Sequence, residues 1–339
     1  MKAAILGTGS WGTAFGRHLA HKWDQVVMWG IEPSQVDAIN QTGTNPDFLG
    51  DIPLPPNLRA TLDLNDCLEN ALALFVVVPS QAVRGVMAEV VKSTTFPPGI
   101  PVVNLAKGFE VSTLQRISEV ITDELEQAGR LADHPVGVLL GPSHAEEVAL
   151  EQPTAVVLSG RPDFNWEPLQ NNISGPFFRV YINEDLPGVE IASGFKNIIA
   201  LAVGMTDGLG TGDNTRGTLM TRGMVELARI GCALGGRQET FFGLAGIGDM
   251  ITTCISRHSR NRNFGEAVTT SEKNPQEILA ESIQVVEGVF MTQAALKLGQ
   301  KLGVELPVTK QVHDVLFSGK PPRLAMRELM ERQLRTELD

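Results

Sequence analysis

The chain has 339 residues, more than a single hydrophobic core usually organises and enough for two domains. Its hydrophobic content of 42% and charged content of 20% are those of a globular protein and exclude low-complexity disorder. A formal net charge of -11 weighs against general binding of nucleic acid or anionic membranes, so an anionic ligand has to be met by cations placed locally against the overall field.

Cys67, Cys232 and Cys254 are far apart and in no metal-ligand spacing, which suits reduced thiols and predicts no metal site. No apolar run approaches the roughly 18–20 residues of a membrane helix. The opening MKAAILGTGS enters a strand pattern without a basic leader or cleavage site. The expectation is a cytoplasmic protein that is not an integral membrane protein.

Residues 2–6 form a short apolar run, followed by GTGSWG with glycines at Gly7, Gly9 and Gly12 and then by a helix-compatible stretch through Ala14, Phe15 and Leu19. Between a strand and a helix this spacing reads as a dinucleotide-phosphate loop. Gly7 permits the tight turn, Gly9 lets the backbone approach a pyrophosphate, and Gly12 lets helix and strand pack closely. The helix N-terminus adds unpaired N–H groups and a favourable dipole. A second strand, QVVMWG at 25–30, leads into Ile31-Glu32. Glu32 is the only acid in this turn that could bind the adenosine ribose, slightly late in its spacing, and a solvated loop acid reads the same way. The turn holds no Arg or Lys for a 2′-phosphate, and the cofactor reading is NAD or NADP with a lean to NAD.

Further apolar runs at 72–78, 101–105, 136–140 and 154–158 are near-continuous in Val and Leu and bounded by Pro or Gly, as in strands covered on both faces. Helix-compatible segments such as 111–129 lie between them. The alternation predicts a parallel, doubly wound α/β sheet with its ligands beyond the strand ends, where Ser80, Lys107 and Gly141-Pro142-Ser143 fall.

Beyond Pro187-Gly188 strand-like alternation stops. Leu219, Gly223, Met224, Leu227, Ile230 and Leu234 recur at helical spacing, suited either to a core or to a subunit interface. The organisation is therefore a Rossmann-type dinucleotide-binding domain over 1–188 and an all-α substrate and catalytic domain over 189–339. Lys196 sits inside the apolar IASGFKNIIALAV. Such a lysine either snorkels outward or, once desolvated, finds an anion or loses its proton, which is a recipe for acid–base catalysis. The last unusual stretch, GLAGIGDMITTCISRHSRNRNFG, places three arginines and a histidine within six positions after Asp249.

Taken in order, GTGSWGTAFG, VPS, LAKGFE, GPSHAEEV, GFKNIIALAVGMTDGLGTGDNTRG, TFFGLAGIGDMITTC, SRNRNFG and VVEGV span nearly the whole chain. In them the sequence resembles the bacterial NAD(P)-dependent glycerol-3-phosphate dehydrogenases, commonly dimers, which interconvert dihydroxyacetone phosphate and sn-glycerol 3-phosphate for glycerophospholipid synthesis. The resemblance implies that Ser10 and Trp11 line the cofactor pyrophosphate beside the glycines, and that Lys107 touches cofactor and substrate. Gly141 and Ser143 would meet the substrate and Ala145 the cofactor. Lys196 would be the general acid/base. Asp249, Ser259, Arg260 and Asn261 would hold the substrate, with Arg260 also near the cofactor, and Val285 and Glu287 would close over the cofactor. Phe109 stands where an aliphatic residue is more usual, and Ile31 where many relatives carry a polar or basic residue.

The chemistry agrees with these roles. A small phosphate ester offers little apolar surface, so its affinity comes from charge-assisted hydrogen bonds, for which an arginine fork is suited. Arg260 is the best receptor, with Arg257 and Arg262 as rim or solvated cations. A ketone reduced by hydride needs a proton donor at the developing alkoxide, assigned to Lys196, with Lys107 as a second, orienting cation and Asp249 as the anionic partner of one lysine. His144 is the rival donor. Other readings are a β-hydroxyacid or ketopantoate reductase, which would not need SRNRN, a dinucleotide sensor without catalysis, and a helical dimerisation scaffold.

Overall fold

In a computed structural model, which describes residues 1–282, 284–334, 336 and 337, the chain builds a sheet first and a helical assembly second. Eight strands, β1 (Lys2–Leu6), β2 (Gln25–Trp29), β3 (Leu58–Thr61), β4 (Ala73–Val76), β5 (Val102–Asn104), β6 (Val136–Leu140), β7 (Thr154–Gly160) and β8 (Phe178–Ile182), lie in the order β3-β2-β1-β4-β5-β6-β7-β8. The first six are parallel, and the order reverses between β1 and β4, the switch point at which doubly wound sheets bind ligands. Helices cover both faces. Ala3 and Ile5 of β1 therefore enter one core while Ala4 and Leu6 enter the other. That double burial is why the apolar runs read as continuous rather than alternating.

Three details depart from the sequence expectation. β7 runs antiparallel to β6, so the sheet is mixed. The chain turns back after β6 through the short helix Ala145–Ala149 instead of making the long crossover that a parallel neighbour needs. β3 and β8 leave no strand signal in the sequence because they are only partly buried and carry no continuous apolar run. The helix foreseen over 111–129 is confined to Ile117–Gln127, because residues 110–116 fold into a loop closed by Glu110 N–H to Gln115 C=O at 3.0 Å.

From residue 186 onward the described residues are helical, without strands. The helix Leu186–Gly208 is capped by Asp185, whose Oδ1 accepts from Gly188 N at 3.0 Å, and Pro187 sits in its first turn. The division proposed between 188 and 189 thus falls inside that turn. This helix is buried from Gly188 through Thr206. By length and apolar composition it could cross a membrane, contrary to the expectation that no such segment exists, yet here it is the enclosed axis of a helical core. Leu219, Met224, Leu227 and Ile230 of the neighbouring helix Asp213–Ala233 pack into this core, so that stripe is spent within the chain.

The helix Arg260–Thr270 approaches the central one closely enough to exclude side chains. A Cβ on Gly204 would lie 1.9 Å from the Arg262 carbonyl oxygen, and one on Gly265 would lie 2.2 Å from that of Leu201. Because backbone blocks both, Gly265→Ala is expected to destabilise the protein by about 2 kcal/mol or more, measured by chemical denaturation. Unchanged stability would mean that the two helices separate freely.

Candidate active site

The C-terminal ends of β1, β4, β5 and β6 all open on one edge of the sheet, and the helical half packs over that edge. The loop after β1 has the form that its glycines require. Gly7 adopts φ +123°, and a Cβ there would press on Val77 O at 3.0 Å; a Cβ on Gly12 would strike Gly7 O at 2.2 Å. Gly9 has open space where its Cβ would be, and it starts the helix Ser10–Leu19 without a side-chain cap. The Ser10 hydroxyl is buried and, among the described residues, has no hydrogen-bond partner. An uncapped helix start, an open glycine face and an orphaned hydroxyl are what a dinucleotide pyrophosphate would use, so the loop fits that group. Trp11 packs on Phe15 and Phe178 behind it. Ile31 is 72% exposed and Glu32 is exposed at the end of β2, both at the rim.

At the centre one carboxylate holds two ammoniums. Asp249 Oδ1 accepts from Lys196 Nζ at 2.5 Å, and its Oδ2 accepts from Lys107 Nζ at 2.9 Å. Lys196 comes from the middle of the central helix, Lys107 from the loop after β5, and Asp249 from the start of the helix Asp249–Ile255, so three distant segments converge. Lys107 Nζ also donates to Gly141 C=O at 2.8 Å, and Ser143 Oγ to the same carbonyl at 3.1 Å. The side chains of Asp249 and Lys196 are 2% and 5% exposed, whereas Lys107 keeps 20%. Burial pulls the Lys196 ammonium down to about 7, opposed by Asp249 and helped by the charge of Lys107. A lysine that titrates near neutrality can both give and take a proton.

Lys196 Nζ also donates to Thr253 Oγ1 at 2.5 Å, a partner not foreseen from the sequence. The signal was there: Thr253 is four residues after Asp249, one helical turn along the same face. His144 follows Ser143, and its imidazole is pushed down to about 4, by burial first and then by the two lysines. Its neutral form is favoured at ordinary pH, which weighs against it as the rival general acid.

The basic cluster divides. Arg262 is committed to Asp207 through Nε at 2.8 Å and Nη2 at 2.7 Å. Arg257 is exposed beside His258. Arg260, also exposed, contacts Val285 C=O at 3.3 Å and has no carboxylate partner among the described residues. Ser259 and Asn261 are buried and already engaged. Ser259 Oγ accepts from Arg262 N at 3.2 Å, while Asn261 donates to Asn197 Oδ1 and accepts from Gly288 N, each at 2.9 Å. Glu287 reaches from the helical half to the loop after β4. Its Oε1 accepts from Ser80 N at 2.9 Å and its Oε2 from Ser80 Oγ at 2.5 Å. Burial raises its carboxyl despite those bonds. Ala145 is buried at the start of its short helix.

The family models and the full-length relatives at 42–44% identity point the same way. The family described as NAD-dependent glycerol-3-phosphate dehydrogenase matches by its N-terminus over residues 2–163 and by its C-terminus over 185–327. A protein of an Exiguobacterium species named glycerol-3-phosphate dehydrogenase [NAD(P)+] is 44% identical over 99% of this chain and 97% of its own. One of the same name from Desulfitobacterium hafniense is 43% identical over 100% and 93%. The crystal structure of glycerol-3-phosphate dehydrogenase from Coxiella burnetii superposes with a TM-score of 0.90 at 38% identity, covering 98% of this chain and 99% of that one.

Asp249→Asn removes the anion between two ammoniums. At pH 6 it is expected to cost about 3 kcal/mol of stability by chemical denaturation. The loss should shrink towards pH 9, because a lysine already pulled down to about 7 sheds its proton more easily than the unfolded chain's does. A pH-independent loss would show that the charge is not the cause.

Proposed function

The chain belongs to the NAD-dependent glycerol-3-phosphate dehydrogenase family, and from that premise we propose how its own residues carry the activity. The reaction is the NAD(P)H-dependent reduction of dihydroxyacetone phosphate to sn-glycerol 3-phosphate, a step that serves glycerophospholipid synthesis. The observation that carries the assignment of roles is the buried array of Lys196, Asp249 and Lys107.

Residues 1–188 act as the dinucleotide-binding domain and 189–339 as the substrate and catalytic domain. Gly7, Gly9, Ser10, Trp11 and Gly12 hold the dinucleotide, with Lys107, Ala145, Arg260, Val285 and Glu287 along its course. When bound, it supplies the hydride. Exposed Glu32 and the apolar Ile31 favour NADH, since a 2′-phosphate would meet a carboxylate and no cation in that turn. Lys196 is the general acid: its ammonium stabilises the developing alkoxide and hands it a proton, and in the reverse direction its amine removes one. Lys107 orients the ketone as a second cation. Asp249 keeps both lysines aimed inward, and Thr253 fixes Lys196 from one side.

Arg260 receives the phosphate at the first turn of the helix Arg260–Thr270, whose N–H groups favour an anion. Ser259 and Asn261 shape that turn, while Gly141 and Ser143 face the substrate from the sheet. The protein acts on this small phosphorylated substrate as a cytoplasmic homodimer, with its three cysteines as free thiols, one of them exposed. A dinucleotide sensor would have no use for a buried lysine tuned to neutrality.

The reading is tested by the loss of absorbance at 340 nm with dihydroxyacetone phosphate. Lys196→Ala is expected to lower kcat by about 10²–10⁴-fold with dinucleotide affinity retained. In the wild type the reduction rate should fall as pH rises through about 7, where the donor loses its proton, and glycerol 3-phosphate oxidation should rise over the same range. Near-normal turnover of the variant would remove Lys196 from the chemistry. Arg260→Ala should raise KM about 10–100-fold, the loss of a charged hydrogen bond worth about 1.5–3 kcal/mol, with little change in stability. An unchanged KM would move the phosphate site elsewhere, and faster turnover with NADPH than with NADH would refute the role given to Glu32.

A further inference from the structure

The array explains how the ketone and the phosphate are met, but dihydroxyacetone phosphate also carries a primary hydroxyl whose proton needs an acceptor. Nearly every group placed at the site donates: two lysines, an arginine, helix N–H groups. The acceptors around them each already hold at least one donor. Asp249 holds Lys196 and Lys107; Gly141 C=O holds Lys107 and Ser143; Thr253 Oγ1 holds Lys196. Asn261 Oδ1 holds Gly288 N, Asn197 Oδ1 holds Asn261, and both oxygens of Glu287 hold Ser80.

Beside the two lysines stands an acceptor that holds none. His144 Nε2 is buried and, among the described residues, has no hydrogen-bond partner. The ring stands directly after Ser143, within reach of the charges of Lys196, Lys107 and Asp249, and it meets the backbone of Thr252 on the helix that carries Asp249. Since Nε2 is free, the contact with the Thr252 carbonyl falls to Nδ1–H. In a neutral imidazole a proton on Nδ1 leaves Nε2 as a bare acceptor. The ring is held neutral, at about 4, by its burial and by the neighbouring ammoniums.

We infer that His144 Nε2 accepts the hydroxyl proton of dihydroxyacetone phosphate, so that His144 is a substrate-binding residue that selects ketones bearing a hydroxyl beside the carbonyl. This rests on the active site proposed above. The selectivity follows from an asymmetry: a ligand without the hydroxyl leaves a buried acceptor unmatched, whereas an apolar side chain at 144 would penalise the hydroxyl instead.

The test compares kcat/KM for dihydroxyacetone phosphate with that for hydroxyacetone phosphate, which has a methyl in place of the hydroxymethyl group. In the wild type the hydroxyl-bearing ketone should be preferred. His144→Phe should reduce that preference about tenfold or more. His144→Gln, whose amide oxygen is again an acceptor, should restore part of it. His144→Leu carries the same comparison if the phenyl ring does not fit. Equal loss on both substrates, or an unchanged ratio with dihydroxyacetone phosphate still reduced, would overturn the role of His144 and leave the active site standing. Failure of the wild type to reduce dihydroxyacetone phosphate at all would overturn both.

Discussion

The structure depends on one carboxylate between two ammoniums. Asp249 is almost fully buried, as is Lys196, and either charge alone would be expensive in that setting. Together they persist because each satisfies the other and because Lys107 and Thr253 complete the set. The balance is deliberately incomplete. Desolvation and a second lysine outweigh the attraction of Asp249, so Lys196 titrates near neutrality instead of near its ordinary value. A perfectly paired lysine would be a structural strut, and an unpaired one would be neutral and lose its aim. That compromise suits the proton donor proposed above.

The same interaction joins the two halves of the chain. Asp249 comes from the helical half and Lys107 from the sheet, and two further acids cross in the same direction. Glu287 accepts from the Ser80 backbone and hydroxyl after β4. Glu190, near the start of the central helix, accepts from Ser118 N at 2.9 Å and from Arg116 Nη1 at 2.9 Å. Burial raises both of those carboxyls even as their donors pull the other way. The helical half therefore offers carboxylates and the sheet half offers donors, and the cleft between them is built from buried polar bonds as well as from packing. Such bonds are directional, and they set the position of the central helix against the strand ends more sharply than apolar contact would.

In the function proposed above, anion recognition is separate and rests on a division of labour inside one basic stretch. Arg262 is bound to Asp207 and braces the helix it belongs to, while Arg260 is left open at its first turn. A chain with an overall acidic field can still hold a phosphate there, because the local cation and the helix N-terminus act at short range whereas the distant acids are screened.

Much of this was written in the sequence. The glycine spacing after β1, the continuous Val and Leu runs and the change of period beyond residue 188 determined a doubly wound sheet followed by helices, because burial on two faces or all round leaves a direct trace in side-chain type. Lys196 announced itself as a cation in an apolar helix. What local pattern could not carry was decided in three dimensions. The reversal of β7, the half-exposed β3 and β8, and the enclosure of a helix apolar enough for a membrane follow from neighbours remote in the chain. So do the pairing of Lys107 with Asp249 across 142 residues, the commitment of Arg262 to Asp207, and the free nitrogen of His144. A residue's type states what bonds it can make. Which of them it does make depends on the competing partners within about 3 Å, and only the fold assembles those.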